Sequence, residues 1–289
     1  MAGFVMDQRR VKLPLSFRLI RGSIQTLSMV SPRLASQIGF RLFRTPRNRV
    51  LPTDDLFAQA ERQTVKVNGD ALTCYVWGSG KTVQLVHGWE SGAQHLVPLI
   101  KPLIDAGYRV IAHDGPGHGS SKGNQADPIV FGEAAAAVAA ELGPVYAVIG
   151  HSLGAAGTMI AVADSDSFRG LERAVIIGSP DRLGDTVLAF AELVGLSRRA
   201  LDKMVEKFRE SREYDLDSFN VSSIVSTFSV DGLIIHDEQD RQAPIEGARA
   251  IHASWPGSEA YFTTGYGHRR ILKKEDVINR VVAFISSER

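Results

Sequence analysis

Apolar residues near the start of the chain recur every three or four positions: Phe17, Ile20, Ile24 and Leu27, then Leu34, Ile38 and Leu42. That is the period of an amphipathic helix. Ser31-Pro32 divides the stretch, serine as N-cap and proline at the first helical position, so residues 16–44 read as two helices. Arg18, Arg21, Arg33, Arg41 and Arg44 give them a basic polar face. Thr45–Pro52, with two prolines and two arginines, reads as a linker.

The pattern changes near residue 62. Thr64–Val67 and Leu72–Trp77 are short β-branched or aromatic runs around Asn68-Gly69-Asp70, a hairpin signal. Strand candidates then follow at Thr82–Val86, Arg109–Ala112, Val145–Ile149, Arg173–Ile177, Leu233–Ile235 and Ala260–Phe262. Helical patterns lie between them near 92–106, 128–142, 153–163, 244–254 and 269–286. Strands as continuously apolar as those in VYAVIG and RAVIIG are buried on both faces. The expected fold class is α/β, a mostly parallel mixed sheet flanked by helices, opened by an antiparallel hairpin. About fifty residues separate strand 173–177 from strand 233–235, more than a direct crossover needs. Two helices within 184–211, the second starting at Ser197, predict a helical cap inserted at about 181–228. The expected organisation is a basic helical extension and linker over 1–60 and one α/β domain over 61–289.

Composition narrows the function. The 289 residues are 44% apolar and 22% charged, ordinary for a globular chain, and the net charge of +1 gives no global case for nucleic acid. The charge is uneven: residues 1–50 hold ten Lys/Arg against one acid, Asp7, a net of +9. Docking of this extension on the core is the first expectation, and contact with a membrane surface or another copy is the second. A single cysteine, Cys74, excludes an internal disulfide and a Cys-based metal cage. No uncharged apolar run reaches a membrane span, and no signal peptide is legible, so a cytoplasmic protein, free or membrane-peripheral, is expected.

The most informative segment is Gly150-His151-Ser152-Leu153-Gly154, a G-x-S-x-G turn between the strand VYAVI and a small-residue helix. Such a turn strains the serine backbone and lifts its hydroxyl clear, while the Leu153 N–H points to the same space near the helix's positive end. Ser152 is the expected nucleophile, and a serine nucleophile needs a base. Of the eight histidines, His268 suits best: it sits in Thr264-Gly-Tyr-Gly-His268, between the last strand and the last helix. His252 is mid-helix, and His151 is expected to point to the opposite side of the elbow. A carboxylate should hold the imidazole tautomer. In His236-Asp237-Glu238-Gln239-Asp240, Asp240 is preferred for its reach, with Asp237 secondary. The strand Thr82–Val86 ends in His87-Gly88-Trp89, and the Trp89 amide is the expected oxyanion partner of the Leu153 amide. His87 and Gly88 are expected to shape that turn without doing chemistry.

From about residue 62 onward the chain resembles α/β-hydrolase-fold proteins of the esterase and lysophospholipase-like kind. Four signatures carry the resemblance: HGW at 87–89, Asp114-Gly-Pro-Gly-His-Gly-Ser120, GHSLG at 150–154, and the Asp240/His268 pair. It implies a serine-nucleophile hydrolase with an acyl-enzyme intermediate. Two departures stand out: Asp237 where the family usually has glycine, and Gly115 where a larger residue is common, which predicts a more open loop.

The expected activity is hydrolysis of a carboxylic ester or thioester, a small-molecule acyl ester being the partner, with no cofactor and no nucleic acid. Other chemistry on the same scaffold stays open: amide or C–C hydrolysis, acyl transfer or perhydrolysis, as does a non-catalytic binding protein. Leu188, Phe190, Leu193, Leu196, Leu201, Met204, Val205 and Phe208 of the cap are candidates for an acyl pocket or for plain packing. Gly80-Lys81-Thr82 and Gly115-x-Gly117 fail as phosphate and dinucleotide motifs, the first because a strand follows, the second because position 120 is serine.

Overall fold

A computed structural model describes residues 15–212, Leu216 and residues 219–287. The chain divides into two compact units: one holds the chain up to Thr45 together with Arg182–Asn220, the other Pro46–Asp181 and the chain from Val221 onward. The sequence boundary at residue 60 therefore falls inside the second unit, because the linker is tied down there. Arg49 donates to the carbonyls of Ser121 and Gly123, and the backbone N–H groups of Thr53 and Asp54 donate to the Gln94 side chain.

The second unit is built on an eight-stranded sheet. Its strands are β1 (Glu61–Val67), β2 (Asp70–Trp77), β3 (Thr82–Val86), β4 (Arg109–His113), β5 (Val145–His151), β6 (Arg173–Ile177), β7 (Asp231–Asp237) and β8 (Ser258–Thr263), in the order β1-β2-β4-β3-β5-β6-β7-β8. β1 and β2 form the antiparallel hairpin over Asn68-Gly69, β2 pairs antiparallel with β4, and all later pairs are parallel. Alternate residues face two apolar layers. Leu85, Ile149, Val175 and Ile235 pack with helices Val97–Asp105 and Glu275–Ser286. Val86, Val148, Ile176 and Ile234 pack with Pro128–Leu142, Leu153–Asp164 and Ile245–Ser254. In chain order these helices are α3 (97–105), α4 (128–142), α5 (153–164), α9 (245–254) and α11 (275–286). The helices α4 and α5 approach closely because a Cβ on Gly132 would lie 2.5 Å from the Gly157 carbonyl oxygen.

Two boundaries differ from the sequence reading. The predicted helix 269–286 is broken into a short α10 (Gly267–Arg270), a 3-10 turn (Ile271–Lys273) and α11. The first piece carries His268 on a turn of its own, and Lys274 leaves the helical region at ψ 127°. Val221–Val225 forms α8, whose ends are buried with α5 and α9, so the inserted unit stops at Asn220 rather than near 228.

Among the described residues, the elements of the first unit are the helices α1 (Leu15–Val30), α2 (Pro32–Arg44), α6 (Leu183–Val194) and α7 (Arg198–Arg212), with one isolated bridge between Arg182 and Asn220. Ser31 caps α2, accepting from the Leu34 N–H. The inner face of the N-terminal pair finds its partners on the inserted helices. Phe40 meets Phe208 edge-on at 4.7 Å, Phe43 meets Phe190 at 5.2 Å, and a Cβ on Gly39 would strike Leu196. A groove of about 690 Å³ in this unit is lined by residues that include Leu188, Leu201 and Val205. Of the eight apolar residues that the sequence offered for an acyl pocket or for packing, Phe190, Leu196, Met204 and Phe208 pack against α2, while Leu193 is exposed.

Candidate active site

The elbow joins β5 to α5. Ser152 adopts φ 54° and ψ −128°, a region a side chain enters only at a cost of about 1–3 kcal/mol. Its N–H donates to the Ile177 carbonyl at 2.9 Å, so β6 holds the strained residue in place. The flanking glycines are required by contact. A Cβ on Gly150 would lie 2.5 Å from the Ala155 Cα, and one on Gly154 would lie 2.0 Å from the His87 carbonyl oxygen. The elbow is thus pressed against both its own helix and the turn that follows β3.

The strand ends bring the three predicted side chains together. The Ser152 hydroxyl donates to His268 Nε2 at 2.8 Å, and His268 Nδ1–H donates to Asp240 Oδ2 at 2.6 Å. Asp240 reaches this position from the turn after β7, where its other oxygen accepts the N–H groups of Gln242 and Ala243. Burial alone would raise the Asp240 carboxyl, but His268 and those two N–H groups hold it below its ordinary value, so it stays ionised. Gly178, at φ 61°, leaves the space beside this pair free: a Cβ there would stand 3.3 Å from His268 Nδ1.

Asp237 lies in the same turn but faces elsewhere. It accepts from the Thr263 hydroxyl at 2.9 Å, the Tyr266 N–H at 2.8 Å and the Gln239 N–H at 3.0 Å. Burial works against its charge, yet these donors lower its pKa below the ordinary value. Asp237 thereby ties the turn that carries Asp240 to the loop that carries His268.

The third wall is the turn after β3. A Cβ on Gly88 would lie 2.9 Å from Ser152 Cβ, so this turn abuts the nucleophile directly. Among the described residues, no hydrogen bond engages the backbone N–H of Trp89 or of Leu153. Both predicted oxyanion donors are therefore left open beside the serine. Two buried histidines fix the turn. His87 accepts the Gly115 N–H at Nε2 and donates from Nδ1 to the Gly88 carbonyl. His118 accepts the Glu90 N–H at Nε2 and donates to the Pro116 carbonyl, which secures Glu90 at φ 48°. Burial keeps both rings neutral, lowering His87 well below 6.5 and His118 to about 4. The loop 114–120 is closed rather than open at Gly115, because the Phe131 ring would stand 3.0 Å from a Cβ there.

His151 departs from expectation as well. Its ring centroid lies 4.9 Å from that of His268, and its Nε2 is 2.9 Å from the His268 carbonyl oxygen, to which it donates.

The model of the alpha/beta hydrolase family matches residues 85–280. The chain belongs to that family. A non-heme haloperoxidase of Rhodococcus erythropolis is 39% identical over 106 residues, which span 36% of this chain and 38% of that one. A 2-hydroxy-6-oxononadienedioate/2-hydroxy-6-oxononatrienedioate hydrolase of Comamonas testosteroni is 23% identical over 256 residues, 71% of this chain and 87% of that one. Among solved structures, an esterase of Pyrococcus furiosus superposes with a TM-score of 0.64 at 22% identity, covering 84% of this chain and 97% of that one. The chain thus spans under two-fifths of the length of the haloperoxidase relative. The structural likeness gives the fold, and the family model places residues 85–280 in the alpha/beta hydrolase family.

Several residues around this candidate site escape a reading of motifs alone. His118, Thr263 and the Tyr266 N–H act through contacts between segments far apart in the chain, the last two through Asp237, which the sequence already set in a secondary role. His118 sits in a quoted motif, but only the fold discloses that it holds Glu90.

Proposed function

We propose that the protein is a serine hydrolase that cleaves a carboxylic ester or thioester through an acyl-enzyme. The observation that carries this is the continuous chain from Ser152 Oγ through His268 to the buried Asp240 carboxylate, with contacts of 2.8 and 2.6 Å. His268 takes the Ser152 proton as the hydroxyl oxygen attacks the acyl carbon, and Asp240 stabilises the imidazolium. The open N–H groups of Trp89 and Leu153 receive the negative charge that develops on the acyl oxygen. His268 then hands its proton to the leaving alcohol or thiol, and water, activated by the same imidazole, releases the acid.

The test is labelling with a fluorophosphonate probe beside turnover of activated esters of graded chain length. Ser152→Ala should lose the label and about four orders of magnitude of turnover. A variant that keeps full activity overturns the mechanism.

The match to a non-heme haloperoxidase favours one second reading. Hydrogen peroxide instead of water would attack the acyl-enzyme, giving a peracid and free Ser152. Adding peroxide to an ester assay separates the two: peracid replaces part of the carboxylic acid product only under this second reading.

A further inference from the structure

We infer that the outward faces of α1 and α2 dock on the surface of an anionic lipid bilayer. The inner faces of these helices are used, with Ile24, Ala35 and Phe40 buried in the helical unit. The outer faces are not. Leu15, Leu19, Ile20, Met29, Val30, Leu34 and Ile38 are between 36% and 80% exposed. At 100° per residue, Leu15, Leu19 and Val30 fall within about 60° of one another on α1, and Leu34 and Ile38 are one turn apart on α2. Large apolar side chains massed at a surface mark an interaction site.

The charges that accompany them select the partner. From Gln8 to Thr53 the sequence has ten basic residues and no acidic one. Arg18, Arg33 and Arg41 are exposed on the same helices as the apolar stripe. A second copy of this face would set arginines against arginines with no carboxylate to pair them. A nucleic acid would match the charge but leave the leucines, isoleucines and valine in water. A bilayer with acidic headgroups meets both demands, apolar side chains entering the acyl boundary and arginines staying at the phosphates. Among the described residues no helix is long and apolar enough to cross a membrane, so the contact is with one surface.

The full-length protein is sedimented with vesicles of phosphatidylcholine alone and with vesicles containing phosphatidylglycerol. Binding is expected only to the second, falling steeply as salt rises from about 50 to about 500 mM. Each arginine near an anionic surface contributes roughly fivefold, so changing Arg18, Arg33 and Arg41 to Gln together should weaken binding about a hundredfold. Leu19→Ser with Val30→Ser should weaken binding at least about tenfold. Because all five residues are exposed, the variants should fold, and an unchanged melting temperature checks that. Equal binding to both vesicles, or none to either, overturns the proposal. So does a concentration-dependent dimer in solution that Leu19→Ser abolishes, since a second copy would then be the occupant. The readout is binding, so its outcome is separate from that of the ester-hydrolysis reading.

Discussion

The imidazole of His151 donates from Nε2 to the backbone carbonyl of His268 at 2.9 Å, joining the residue before the nucleophile to the backbone of the base. Burial lowers the His151 pKa to about 3, so the ring stays neutral and keeps that proton through the working range. His151 is thus a positioning residue. His151→Phe keeps a ring but leaves the carbonyl unpartnered, and kcat should fall about tenfold to a hundredfold with little change in KM. His151→Gln returns an N–H at similar reach and should recover most of the loss. An equal loss in both variants would show that ring packing alone matters.

The two carboxylates of the β7 turn should separate cleanly. Asp240→Asn removes the partner of His268 Nδ1 and should lower kcat by up to about 10⁴, with the fold intact. Asp237→Asn disturbs the Thr263 and Tyr266 contacts and should cost stability, with kcat within about tenfold of the parent. Kinetics on one activated ester beside urea unfolding of both variants decides it. The reverse pattern would move the third role to Asp237.

The space around two glycines, one at the elbow and one on α1, gives predictions of opposite sign. In Gly154→Ala the new methyl would meet the His87 carbonyl at 2.0 Å, so the turn carrying Trp89 must move. Stability should fall by about 3 kcal/mol or more, and kcat by about a hundredfold, the loss expected for one misplaced oxyanion donor. Gly22, mid-way along α1, has nothing within 4 Å of its would-be Cβ. Gly22→Ala should stabilise by about 0.5–1 kcal/mol, read from denaturant midpoints.

Acid should unfold this protein earlier than its carboxylates alone require. Burial lowers His113 and His118 to about 4 from an ordinary 6.5. Between those values the unfolded chain takes up protons that the native chain refuses. Stability is therefore full above pH 6.5 and falls as pH drops toward 4, by up to about 1.4 kcal/mol per pH unit for each such group. His113 is the cleanest probe, since neither ring nitrogen has a hydrogen-bond partner. His113→Leu should flatten the acid limb by one proton and be more stable than the parent at pH 5. An unchanged slope in urea melts across that range would contradict this.

What could be read in the sequence was what short-range rules impose. The elbow needed its strand, its helix and its glycines, all within twenty residues, and the preference for Asp240 rested on counting residues between Ile235 and Pro244. The α/β alternation was legible because strands buried on both faces have nowhere to put polar residues. What escaped depends on packing between distant segments. Gly115 suggests an open loop until Phe131 of α4 fills the space. His151 meets the backbone of His268, 117 positions along the chain, a contact that no local motif displays. The run 269–286 has a helical composition throughout, yet the loop bearing His268 imposes a break before Glu275.

The helical unit is assembled from two stretches that the sheet's first six strands separate. On the ribosome, α1 and α2 are made first, while α6 and α7, which cover their inner faces, begin about 140 residues later. At roughly 5–20 residues per second, that delay is roughly seven to thirty seconds. Through that interval a nascent chain carries a basic, doubly apolar helical hairpin with no partner of its own. Its early contacts are then set by what surrounds the ribosome, and the protein's folding yield should depend on elongation rate more than the hydrolase core alone would suggest.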